Sequence, residues 1–81
     1  MKIVPGFVIF VTGGAQGLGE AAVRRFHGQG CRVAVADLNT EAMAKLQAEL
    51  GERILTIKCD VTIESEVKEA VEATAAEWGS I

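Results

Sequence analysis

Apolar residues recur along this chain in two rhythms that alternate three times. Residues 7–11 form a continuous β-branched and aromatic run, as a parallel strand buried on both faces requires. From about 17–29 the spacing becomes helical, with Leu18, Ala22 and Phe26 four residues apart, and Gly30 supplies the stop. Residues 31–36 (Cys-Arg-Val-Ala-Val-Ala) read as a second strand ending at Asp37. A second helix is expected over about 41–50, capped by Asn39 or Thr40, with Met43, Leu46 and Leu50 as its buried stripe and Gly51 as its end. Residues 53–59 make a third strand through Ile54, Leu55 and Ile57. The last helix spans about 64–77, with Val67, Val71, Thr74 and Trp78 at helical spacing, so Trp78 reads as a core plug. Gly79 then ends the helix.

Strand and helix in strict alternation predict an α/β unit with a parallel sheet. Right-handed crossovers place the strands in the order 3-2-1, with the first two helices on one face and the last on the other, in three layers. At 81 residues the chain is one domain at most, near the small end of what buries its own core. The first strand would be an open apolar edge, a template for pairing with another chain. The expectation is a fragment, a truncated product, or a unit that needs a partner strand or forms a homo-oligomer.

Composition narrows the partners. With 49% apolar and 23% charged residues the chain is folded rather than disordered, and a net charge of −3 with scattered Lys and Arg argues against nucleic acid. Cys31 and Cys59 lack the spacing and companions of a zinc site, and strand ends on the order of 17 Å apart exclude a bridge between them. Buried thiols suit a reducing compartment, the cytoplasm or alternatively the mitochondrion. Residues 1–6 read as a short extension. Lys2 and the apolar residues after it resemble a secretory leader, but Pro5-Gly6 interrupts the run and cleavage after Ala15 would destroy the turn that follows. No run is long enough to cross a membrane.

That turn, Val11-Thr12-Gly13-Gly14-Ala15-Gln16-Gly17-Leu18-Gly19, is the candidate chemistry. A helix's first turn offers unpaired N–H groups at the positive end of its dipole, which suits a pyrophosphate. Gly13 would permit the turn, Gly17 the close approach and Gly19 the packing of helix on strand. Asp37, 18 residues beyond Gly19, would lie beside the adenosine ribose and accept from both hydroxyls. A carboxylate there repels a 2′-phosphate, and neither Gln16 nor Leu38 is a cation, so NAD is expected over NADP. The alternative for Asp37 is a strand-end cap of the next turn. Arg24 and Arg25 read as the solvated face of the first helix, about two turns past the phosphate end, and His27 as a surface residue rather than a base.

Thr12, Gly13, Gly17 and Gly19 fit Thr-Gly-x-x-x-Gly-x-Gly, and with Asp37, Asp60, Val61 and Thr62 this resembles the short-chain dehydrogenase/reductase family. The resemblance implies a Rossmann-type fold of which residues 1–81 are the N-terminal dinucleotide-binding half. It also implies that Asp60 accepts from the adenine amine while the Val61 N–H reaches a ring nitrogen. Alternatively, or at the same time, Asp60 and Thr62 cap the last helix. The motif with Gly28-Gln29-Gly30 and Asp37-Leu38 is most similar to type 2 3-hydroxyacyl-CoA dehydrogenases. Thr12, Gly13, Gln16, Gly17, Leu18, Gly19, Asp37, Leu38, Asp60 and Val61 are thus the expected NAD-binding set. The implied activity is hydride transfer between NAD and a secondary alcohol or ketone. The family's catalytic Ser and Tyr-x-x-x-Lys belong to later elements, and this chain contains no Tyr. The rival readings are a non-catalytic nucleotide-binding or regulatory module and a structural fragment without nucleotide affinity.

Overall fold

The computed structural model describes residues 6–79. In order, the elements are β1 (Val8–Thr12), α1 (Gly17–Gly28), β2 (Arg32–Asp37), α2 (Thr40–Leu50), β3 (Ile54–Lys58) and α3 (Glu64–Trp78). The strand-helix alternation is as expected, with element ends moved by at most one residue. Most of the expected N-terminal extension, including Lys2 and Pro5, and the closing Ser80-Ile81 lie outside the described residues.

The three strands are parallel in the order β1-β2-β3, the same neighbours as in 3-2-1. Val8 pairs with Arg32 and Thr12 with Ala36 on one side of β2, while Val33 pairs with Ile54 and Asp37 with Lys58 on the other. This register brings the C-terminal ends of all three strands to one edge of the sheet. Cys31 falls outside β2 because its N–H turns back to the Phe26 carbonyl at 3.1 Å.

As the central strand, β2 has a partner on each side and a layer on each face, and Val33, Ala34, Val35 and Ala36 are completely buried. Val33 and Val35 join Val23 of α1, Met43 and Leu46 of α2 and Ile54 in one cluster, with Ile9 and Val11 against it. Ala36, Cys59 and Ala70 of α3 form the other, with Phe10, Ile57 and Val67. Alternate residues of the strands thus serve opposite layers. Burial of each such valine contributes about 1.5–3 kcal/mol. Among the described residues β1 has β2 as its one strand neighbour, and its apolar residues are half-buried.

The faces of two helices differ from expectation. On α1 the fully buried stripe is Val23 and His27, with Gly19 ahead of them, one residue on from the expected Leu18, Ala22 and Phe26; Phe26 does pack against the core cluster and Ala22 is half-buried, but Leu18 is 91% exposed. The cause lies at the helix start. A Cβ on Gly19 would overlap the Gly13 carbonyl and come within 2.9 Å of the Gly14 Cα, so this position packs on the turn and sets the rotation of the whole helix. His27 is consequently buried, not on the surface, with Nε2 donating to the Glu52 carbonyl at 2.7 Å. On α3 the buried pair is Ala70 and Thr74, whose hydroxyl donates back to the Ala70 carbonyl at 2.8 Å; Val71 is exposed and Trp78 only half-buried.

Arg53, the expected first residue of the third strand, sits just ahead of it with φ +62°, a left-handed conformation uncommon outside glycine. Its Nη1 donates to the carbonyls of His27 at 2.9 Å and Cys31 at 3.0 Å, closing the C-terminal end of α1. Arg24, read as solvated, bonds Glu20 at 2.8 Å and also pairs with Glu49 of α2.

Candidate functional site

Where β1 ends, the chain makes the glycine turn and enters α1. Gly13 takes φ +66° and Gly17 φ +57°, conformations a side chain would strain, and a Cβ on either would meet open space. Gly14 answers a different need. Its Cβ would stand 2.9 Å from Val35, 3.0 Å from Val23 and 3.2 Å from Val11, so only hydrogen fits where β1, β2 and α1 converge. This packing role is invisible to a motif that scores turn glycines.

Gln16 is the N-cap of α1 and its side chain makes no capping bond. The first intrahelical bond is from Glu20 N to the Gln16 carbonyl, so the amides of Gly17, Leu18 and Gly19 precede it. Three consecutive donors at the positive end of a helix dipole, beside a turn without side-chain bulk, fit an anionic diphosphate. Leu18 adds its amide, while its exposed side chain leaves the core expected of it.

The turn is fastened to the end of β2. Gly13 N donates to the Ala36 carbonyl at 2.7 Å, and Ala15 N donates to Asp37 Oδ2 at 3.1 Å. Asp37 Oδ1 accepts from Asn39 N at 2.9 Å, and Asn39 Oδ1 in turn caps α2 through Ala42 N at 2.9 Å. Asp37 is therefore placed next to the glycine turn and also serves the strand-end turn that was its alternative role.

At the end of β3, Asp60 folds onto its own turn. Oδ1 accepts from Thr62 N at 2.9 Å and from Thr62 Oγ1 at 2.6 Å, and these two bonds hold the carboxyl pKa below its usual 3.8. Glu66 Oε1 accepts from Asp60 N at 3.0 Å and orders the same turn from the first turns of α3. The expected capping of α3 by Asp60 and Thr62 does not occur, because these side chains bond each other. Ile63 is the N-cap, without a side-chain bond. Burial pushes the Cys59 thiol above its usual pKa, with the Glu66 and Asp60 carboxylates adding to it, so the thiol is a neutral lining group.

Gly13, Asp37, Leu38, Cys59, Asp60, Val61 and Thr62 line one cleft of about 180 Å³ across the C-terminal ends of the strands. Leu38 and Val61 are 56% and 47% exposed, apolar surfaces flanking the cleft with a carboxylate beside each. Such a cleft suits a flat heterocycle with a hydroxylated sugar. A larger depression of about 500 Å³ lies on the outer face of α1, lined by Ala21, Ala22, Arg25, Phe26 and Gln29. It has no carboxylate and no helix N-terminus, and lies away from the strand ends. Among the described residues no cluster of His, Cys, Asp or Glu could hold a metal, and no helix is long and apolar enough to cross a membrane.

Comparison with known proteins gives a consistent picture. A family profile described as short chain dehydrogenase matches residues 7–81. The chain is 41% identical over 80 residues to (+)-borneol dehydrogenase 1 of Salvia officinalis, covering 99% of this chain and 31% of that protein. A 3-ketoacyl-(acyl-carrier-protein) reductase of Brucella melitensis, crystallised with NADH, superposes with TM-score 0.89 at 30% identity over 95% of this chain and 32% of that one. A short chain dehydrogenase/reductase of Burkholderia phymatum in complex with NAD gives TM-score 0.94 at 24% identity, a likeness of fold, over 100% of this chain and 30% of the other. The chain spans under a third of each of these proteins.

Proposed function

The chain belongs to the short-chain dehydrogenase family, and from that premise we propose that it is the NAD-binding portion of an oxidoreductase acting on a secondary alcohol or ketone. The observation that carries this reading is the convergence at the strand ends. The uncapped α1 terminus stands beside the glycine turn, and Asp37 and Asp60 share one cleft. In the proposed arrangement Thr12, Gly13, Gln16, Gly17, Leu18 and Gly19 form the pyrophosphate turn and Asp37 takes the ribose hydroxyls. Leu38 and Val61 cover the adenine, and Asp60 accepts from its amine. Hydride transfer is the chemistry that a bound nicotinamide supplies, and these residues bind and orient rather than move a proton.

NAD is the favoured cofactor because Asp37, already an acceptor for two backbone amides, would face a 2′-phosphate with like charge. No Lys or Arg among the cleft residues offsets it. The acidic chain as a whole, at −3, adds to that repulsion. For the substrate class we propose a 3-hydroxyacyl-CoA, on the resemblance that the Thr12–Gly19 motif with Gly28-Gln29-Gly30 and Asp37-Leu38 bears to type 2 3-hydroxyacyl-CoA dehydrogenases. Titration calorimetry with NAD, NADP and AMP tests the cofactor reading. NAD should bind at least about tenfold more tightly than NADP, and Asp37→Arg should invert that order. A preference of the unaltered chain for NADP would refute the role given to Asp37. AMP binding as tight as NAD would mark a module that reads only the adenosine half.

A further inference from the structure

We propose that Asp37 is also a positioning residue for the glycine turn, coupling ribose recognition to the amides that receive the pyrophosphate. The inference rests on the nucleotide reading above and adds to it a mechanical link between two parts of the site.

Ala15 is 4% exposed, its methyl packed in the cluster with Val23, Val33 and Val35, so its N–H cannot turn to water without moving the backbone. That N–H is directed at Asp37 Oδ2. Gly13 and Gly17, both at positive φ, lie on either side, and Gly13 N is itself bonded to the Ala36 carbonyl, so the Ala15 bond is a second tie between the turn and the end of β2. Only Gln16 separates Ala15 from Gly17, where the unpaired amides of α1 begin. The carboxylate therefore fixes one of the three residues between Gly13 and Gly17, the one whose amide faces Asp37. Through Oδ1 and Asn39 it is itself fixed to the capped start of α2. A carboxylate offers about four acceptor positions, so two backbone N–H groups leave two for the ribose hydroxyls. One side chain can hold the turn and read the sugar at once.

The test separates the two roles by removing the sugar hydroxyls. Binding of ADP and of its dideoxyribose analogue is measured for the unaltered protein and for Asp37→Ala. A residue that only reads ribose leaves dideoxy-ADP affinity unchanged on substitution. A residue that also positions the turn lowers it, by about tenfold if an amide partner is lost. Amide exchange without nucleotide supplies the local signature: Ala15 loses protection in Asp37→Ala while Val33 and Val35 retain theirs. Asp37→Asn, which keeps an oxygen acceptor for the Ala15 N–H, should retain both the Ala15 protection and most of the dideoxy-ADP affinity. Dideoxy-ADP affinity within about twofold between the unaltered protein and Asp37→Ala, or Ala15 protection unchanged in Asp37→Ala, overturns the coupling and leaves the nucleotide reading standing. An unaltered protein that binds neither ADP nor its analogue overturns both.

Discussion

Asp60 illustrates how one side chain can be committed to structure and still remain available. Its Oδ1 is engaged twice by Thr62, while Oδ2 carries no such bond and is the oxygen proposed to accept from adenine. Because the folded pKa is lowered, the carboxylate is an anion at neutral pH. The stability it contributes is present above about 3.8 and is lost as pH falls through the lower folded value. Removing the hydroxyl with Thr62→Val should raise the Asp60 pKa toward 3.8, read by carbon NMR of the carboxyl. A pKa in the unaltered protein at or above 3.8 would contradict this. At this scale the sequence shows those residues whose chemistry is carried by a side chain or a turn. Asp37 and Asp60 are visible because carboxylates at strand ends are uncommon without a purpose, and Gly13 because its spacing calls for a positive φ. Ala15 and Gly14 are not visible. One contributes a backbone amide and the other the absence of a methyl between three valines, and neither alters a motif.

At the level of elements, periodicity shows that a helix exists but not which way it faces. The stripes 18-22-26 and 19-23-27 on α1 are both plausible by spacing. The choice between them falls to Gly19, which must approach the Gly13 carbonyl, and it buries Val23 and His27 in place of Leu18. The far end of α1 was equally hidden, since the cation that closes it, Arg53, comes from beyond α2, 26 residues after His27. Two hydrogen bonds from this guanidinium tie the His27 and Cys31 carbonyls together, the first of which also accepts from Gly30 N, against the cost of a left-handed backbone. Arg53→Ala should destabilise the fold by about 1–3 kcal/mol, because it loses both bonds and keeps the strained φ. Arg53→Gly should cost less, since glycine adopts φ +62° without strain. Denaturant unfolding distinguishes them, and equal losses would show that backbone strain is not part of the balance. By contrast, α2 was legible throughout, because its cap Asn39, its stripe Met43 and Leu46 and its terminator Gly51 all act within the segment.

For the whole molecule, the consequence of the parallel order is that everything polar with a candidate role lies at one edge of the sheet. Turns after β1, β2 and β3 meet there because crossovers return each strand in the same direction. The opposite edge carries the Arg53 closure, and the outer face of α1 carries a larger but chemically plain depression. The central claim is that a dinucleotide lies across the strand ends with its phosphates on α1 and its sugar at Asp37. Backbone amide shifts on titration with NAD test this directly. Perturbations should concentrate on Gly13, Gly17, Leu18, Leu38 and Val61 and leave Ala22, Phe26 and Gln29 unchanged. Shifts centred on Ala22, Phe26 and Gln29, or none at saturating NAD, would contradict it.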